Sequence, residues 1–179
     1  MEKQKICIIG GGLTGLVTAI SLAKLNCEID IITDYVDKNF LSNRTIAISQ
    51  NNLDFLKQLN ISQFLRKEAW PCSIMKLYTE IKDKKFSKIF ELNNDNKQKK
   101  ILYMLENSKI TKLMINKTKQ IRSISLINHK TISTINNLGL LKSVKTKNNN
   151  SKYNLIIICT GNNSTLVKNI FNNQAIESS

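Results

Sequence analysis

The stretch KICIIGGGLTGLVTAISLAKLNCEIDIIT, residues 5–33, decides the fold. Its opening, KICIIG at 5–10, is almost wholly apolar and ends in glycine. Such a run fits a strand covered on both faces, as strands of a parallel sheet are. Residues 13–25 follow with Leu16, Ala19, Ile20 and Ala23 at helical spacing, and Leu22 and Leu25 widen the stripe. EIDIIT at 28–33 is a second strand candidate. Strand, glycine turn, helix and strand within about 30 residues make a βαβ unit.

The turn inside that unit reads Gly10-x-Gly12-x-x-Gly15. Each glycine has a physical reason in a dinucleotide-binding turn. Gly10 permits the sharp reversal, Gly12 lets a pyrophosphate approach the backbone, and Gly15 lets the helix lie close to the strand. The helix N-terminus adds free N–H groups and a partial positive charge. The strand before and the helix after separate this pattern from a glycine-rich turn that holds nothing. A ribose partner is expected about 20 residues further on, at the end of the second strand. Asp34 is the natural carboxylate, and Thr33, one position earlier, offers a weaker hydroxyl.

Outward from this unit, residues 34–43 are polar and loop-like. Residues 51–59 show helical spacing of Leu53, Leu56 and Leu59, and 62–67 add a turn. Residues 72–81 and 86–92 alternate as strands and form a small antiparallel patch. Residues 107–118 place Ile110, Leu113 and Met114 on one helix face. Three short strands are expected at 123–127, 131–135 and 140–145, with a hairpin turn over 136–139. NLIIICT at 154–160 repeats the character of the first strand and is closed by Gly161. Residues 167–171 start another helix, and 172–179 fray. The fold predicted is α/β: a parallel sheet of 5–10, 28–33, 123–127 and 154–160, an antiparallel hairpin at 131–145 crossing between the last two strands, and a partial small lobe at about 70–92. One domain over 1–179 is expected.

Composition narrows the function classes. The chain has 179 residues, 41% hydrophobic and 22% charged, with a formal charge of +14. The lysines are dispersed. The tightest runs, KDKK at 82–85 and KQKK at 97–100, sit in polar stretches without aromatic interleaving, so a nucleic-acid surface is not expected. Cys7, Cys27, Cys72 and Cys159 are far apart, with no C-x-x-C pair. Cys7 and Cys159 lie in apolar runs and read as small buried hydrophobes. With His129 as the lone histidine, no zinc site is expected. No apolar run approaches the roughly 20 residues of a membrane span, and no signal segment opens the chain. A reduced, cytoplasmic setting is expected.

Four segments, in order, resemble the FAD-dependent aromatic hydroxylases, and among them the ubiquinone-biosynthesis hydroxylases. They are KICIIGGGLTGLVTAISLAK at 5–24, NRTIAIS at 43–49, LYMLENSKITKLM at 102–114 and NLIIICTGNNSTLVK at 154–168. The resemblance implies an FAD-type Rossmann sheet, with Gly10, Gly12 and Gly15 at the pyrophosphate. It implies Arg44 on the cofactor, through its phosphates, where a planar fork of donors fits. Asn107 would contact the flavin side, a role compatible with capping the helix that follows.

The resemblance also implies ring hydroxylation of a small aromatic or polyprenylated phenol, with NAD(P)H as electron donor. No catalytic side chain is assigned, because the cofactor carries the oxygen chemistry. A greasy quinone-pathway substrate and the basic charge together suggest peripheral contact at an inner membrane. Two departures stand out. Cys159-Thr160-Gly161 replaces the family's Asp-Gly, and no Gly-Asp dipeptide occurs anywhere. The chain therefore looks like the front half of a hydroxylase, truncated or completed by a C-terminal chain. The alternatives are another FAD-dependent oxidoreductase of the same fold, or a fragment without enzymatic activity.

Overall fold

The computed structural model describes residues 3–33, 44–61, 68–81, 85–93, 100–128, 132–146 and 150–161. Two compact units emerge, one of Met1–Phe40 with Thr111–Ser179 and one of Leu41–Ile110.

In the first unit, β1 (Lys5–Ile9) leads through the glycines into α1 (Leu13–Leu22), which tightens into a 3₁₀ turn at Ala23–Leu25. Asn26, at φ 56°, reverses the chain in the left-handed region that Asn tolerates better than most residues. β2 (Glu28–Thr33) then lies parallel to β1, with Cys7 opposite Asp30 and Ile8 opposite Ile31. β8 (Ile124–Asn128) and β12 (Leu155–Ile158) complete a parallel sheet of order β12–β1–β2–β8. These are the four strands expected from their short apolar runs. Asn154 fastens the start of β1: its Oδ1 accepts from Lys5 N–H and its N–H donates to the Lys5 carbonyl, each at 2.8 Å.

Alternation across the strands splits the apolar residues between two faces. On one face, α1 buries Leu16, Ala19 and Ile20. On the other, Cys7, Ile9 and Ile32 pack with Val144 and Tyr153 of an antiparallel sheet. That sheet is β11–β10–β9, formed by β9 (Ile132–Leu138), β10 (Leu141–Thr146) and β11 (Asn150–Tyr153). The predicted hairpin is present, but its turn is displaced. Leu138 pairs with Leu141, so the reversal uses Gly139 and Leu140 rather than 136–139. Gly139 at φ +73° supplies the positive φ that a two-residue hairpin needs at its first central position. Asn136 and Asn137 are ladder residues, and β11 is a third strand that the sequence reading missed.

In the second unit, β3 (Thr45–Ser49), β7 (Leu102–Glu106) and β4 (Trp70–Cys72) form an antiparallel sheet of order β3–β7–β4. α2 (Gln50–Gln58) follows β3 directly and is capped by Ser49, whose hydroxyl accepts from Asn52 N–H at 3.3 Å. Its Leu53 and Leu56 are buried. The lobe expected at 70–92 divides: Trp70 pairs with Met104 of β7, whereas β5 (Ile74–Ile81) and β6 (Lys85–Asn93) form a two-stranded hairpin. α3 (Asn107–Lys119) starts in this unit and ends in the other.

Candidate functional site

The glycine turn sits at the C-terminal end of β1, and its three motif glycines are constrained in different ways. Gly10 has φ +111°, a conformation L side chains rarely adopt, and a Cβ there would lie 2.5 Å from the Cys159 carbonyl oxygen. Its N–H donates to the Ile32 carbonyl at 2.9 Å, which ties the turn to the end of β2. A Cβ on Gly15 would fall 2.0 Å from the Gly10 carbonyl oxygen, so α1 can press on the turn only without a side chain there. Gly12 differs from both. Its φ of −69° suits any residue, and, among the described residues beyond its chain neighbours, a Cβ would meet no atom within 4 Å.

Gly12 also precedes the first turn of α1. Among the described residues no side chain caps that helix start, and its first turn carries no acidic residue. The leading N–H groups of α1 therefore keep their partial positive charge without an internal acceptor from a cap. An open approach beside an uncapped helix N-terminus is what a pyrophosphate needs. The residues present fit the phosphate portion of a dinucleotide.

Gly11 is a further constrained position that the motif reading passed over. A Cβ there would lie 2.4 Å from the Thr33 Oγ1. Thr33 is the last residue of β2 and is buried, so its side chain braces the glycine turn from the neighbouring strand. Asp34 and His129 lie outside the described residues. On the opposite side of the turn, Cys159 follows β12 and donates its N–H to the Ile9 carbonyl at 2.7 Å. It is half-buried rather than fully buried as Cys7 is, and burial pushes its thiol pKa up against a hydrogen bond with Thr18.

Arg44 and Asn107 meet in the second unit through their backbones. Asn107 N–H donates to the Arg44 carbonyl at 2.9 Å, where β3 begins and β7 passes into α3. Asn107 is the first residue of α3, and Arg44 is exposed. Two segments 63 positions apart in sequence, by 107 − 44, thus come together at one end of the β3–β7 ladder. Tyr103, also on β7, donates its hydroxyl to Gln50 Oε1 at 2.7 Å and links the strand to the start of α2.

A polar cluster beneath the sheet was not anticipated. Asp30 is 9% exposed, forms an ion pair with Lys5 at 3.1 Å and accepts from the Tyr153 hydroxyl at 2.9 Å. The Lys5 ammonium also lies 5.3 Å from the Tyr153 ring centroid. Burial, and then the Asp30 charge, pushes the Cys7 thiol up to about 12, with Tyr153 and Lys5 partly offsetting the shift. Burial, followed by Cys7 and Asp30, likewise raises the Tyr153 phenol. Both groups therefore stay protonated near neutral pH. The signal for this cluster was Asp30, a carboxylate set between isoleucines in EIDIIT.

Comparison with known proteins agrees with the geometry. No curated protein matches the chain by sequence. Among solved structures, the p-nitrophenol 4-monooxygenase of Pseudomonas putida DLL-E4 is similar over 94% of this chain and 43% of its own, at 17% identity and TM-score 0.68. The Diels-Alderase of the pyrroindomycin biosynthetic pathway is similar over 93% of this chain and 34% of its own, at 15% identity and TM-score 0.72. A tetracycline destructase is similar over 92% and 40%, at 14% identity and TM-score 0.65. At such identities these are likenesses of fold, and the chain spans less than half the length of each. A family model described as FAD binding domain matches residues 3–170, nearly the whole sequence. The chain belongs to the FAD-binding domain family, which implies FAD as its cofactor.

Proposed function

We propose that the chain is the cofactor-holding N-terminal part of an FAD-dependent monooxygenase that hydroxylates an aromatic ring. The observation that carries this reading is the open approach at Gly12 beside the uncapped start of α1. It occurs in a chain whose residues 3–170 match the FAD-binding domain. When bound, FAD supplies the redox and oxygen chemistry.

The chain's own residues bind and orient. Gly12 and the first N–H groups of α1 receive the pyrophosphate. Thr33 holds the turn in shape and, with Asp34, reaches the ribose. Arg44 offers a guanidinium fork to the phosphates, and Asn107 contacts the flavin side. NAD(P)H is the electron donor in this reading, and the substrate is a small aromatic or polyprenylated phenol, as in ubiquinone biosynthesis. The likeness to a p-nitrophenol 4-monooxygenase supports the ring-hydroxylating class. The formal charge of +14 supports peripheral contact with an anionic inner membrane. Among the described residues, no helix is long and apolar enough to cross a membrane. A different FAD chemistry is the second reading, favoured by the Diels-Alderase among the structural neighbours, since one fold hosts many activities.

The test is the visible spectrum of the purified chain with and without added FAD, followed by NAD(P)H oxidation in the presence of phenols. Flavin absorbance near stoichiometry and phenol-stimulated NAD(P)H oxidation support the proposal. A colourless protein that FAD does not stabilise sinks it.

A further inference from the structure

The parallel sheet carries a polar region at the end opposite the glycine turn. Lys5 and Glu28 are register partners on β1 and β2, and Cys7 and Asp30 are the next partners on the same face. Ser125 of β8 is the register partner of Asp30. Strands of a covered parallel sheet are expected to be apolar on both faces. β1 and β2 obey that rule towards their C-terminal ends and depart from it here. Lys5, Glu28, Ile29, Asp30 and Ser125, with Lys3, Arg122 and Ser123, line a cavity of about 540 Å³. That volume lies within the ordinary range for small-molecule sites.

The charged groups around the cavity divide into two sets. Asp30 is already answered by Lys5 and by the Tyr153 hydroxyl. Lys3, Glu28 and Arg122 engage no side-chain partner among the described residues. The uncommitted charges are therefore two cations and one carboxylate, beside the hydroxyls of Ser123 and Ser125. An ammonium and a guanidinium together suit an oxyanion. An ionised carboxylate only accepts hydrogen bonds, so Glu28 requires a donor from the ligand. A bare anion would leave Glu28 unanswered and would be repelled by it. A ligand with an anionic group at one end and hydroxyls at the other answers all three residues.

We propose that this cavity binds a small hydroxylated phosphate ester, with the phosphate on Lys3 and Arg122 and the hydroxyls on Glu28. The site is distinct from the FAD cradle, which lies at the other end of the same strands, and it does not depend on the monooxygenase reading. Ribose 5-phosphate is a suitable probe because it lacks the adenine and pyrophosphate of FAD.

The experiment is amide NMR titration of the whole chain with ribose 5-phosphate, and separately with ribose and with inorganic phosphate. The expected result is saturable shifts at residues 3–5, 28–30 and 122–125 with ribose 5-phosphate at millimolar concentration or below. Phosphate alone and ribose alone should bind at least tenfold more weakly. Arg122→Ala and Glu28→Gln, both at exposed positions, should each weaken binding severalfold without altering the rest of the spectrum. Shifts confined to residues 10–16, equal binding of inorganic phosphate, retention of full affinity in both variants, or no saturable shift at all would each overturn the proposal.

Discussion

Two strand pairs in this molecule have opposite surroundings. β1 and β2 run parallel through the first unit, and every residue from Ile6 to Ile9 and from Ile29 to Thr33 is buried. β5 and β6 run antiparallel in the second unit, and all of their residues but Ser87 are exposed. Register puts Met75 with Leu92 and Leu77 with Phe90 on one face of that hairpin, while Lys76 with Glu91 and Tyr78 with Lys88 occupy the other. Over these pairs the hairpin is amphipathic with its apolar side open, whereas β1 and β2, past their polar starts at Lys5, Glu28 and Asp30, are apolar and enclosed on both faces. Alternation in a sequence tells which side chains share a face. It does not tell whether anything covers that face, so the enclosed pair can be argued from packing and the hairpin cannot.

The sharpest contrast comes from the glycine turn. Gly15→Val should yield no soluble folded protein, because its Cβ alone would lie 2.0 Å from the Gly10 carbonyl oxygen, backbone that cannot swing aside. Expression yield and circular dichroism check this. Next in size, Ile31→Ala in the enclosed pair should cost about 2–5 kcal/mol in urea unfolding. A loss below about 1 kcal/mol would mean that the strand is not enclosed.

Smaller again is Tyr153→Phe, which leaves the buried Asp30 without its phenolic donor and should cost about 1–3 kcal/mol. The same cluster gives a pH dependence. Cys7 keeps its proton when folded up to about 12, against 9.0 when unfolded, so the folded state binds more protons between those values. Stability should fall as pH rises from 9.0 towards about 12, and Cys7→Ala should flatten that fall. The smallest effect is expected in the hairpin. Leu77→Thr should change unfolding free energy by no more than about 0.5 kcal/mol while raising solubility. A loss as large as that for Ile31→Ala would show that something covers the hairpin face.

Much of the first unit was legible because its signals are local. KICIIG and NLIIICT mark strands by unbroken apolar runs, and the glycines mark the turn. What escaped depended on distant partners. TIAIS at 45–49 and LYMLE at 102–106 are short runs whose sheet forms only when they pair with each other. Gly11 reads as a spacer until Thr33 is found against it. Asp30 is one more residue of the strand EIDIIT until Lys5 and Tyr153 are found around it, and Tyr153 lies 123 positions away. The hairpin turn was misplaced for a related reason. Asn136-Asn137 carries the stronger turn composition, yet Gly139 alone has the positive φ that closes the ladder.

The central claim is that Gly12 is kept small for a ligand, whereas Gly10 and Gly15 are kept small for the protein. FAD titration of the purified chain and of Gly12→Val, with melting temperatures for both, tests it most directly. The prediction is a melting temperature close to that of the parent chain, because no atom of the described residues beyond the chain neighbours lies within 4 Å of the added Cβ, together with FAD affinity weaker by at least about tenfold, or 1.4 kcal/mol. Parent-like FAD affinity in Gly12→Val, or a parent chain that binds no FAD, would contradict it.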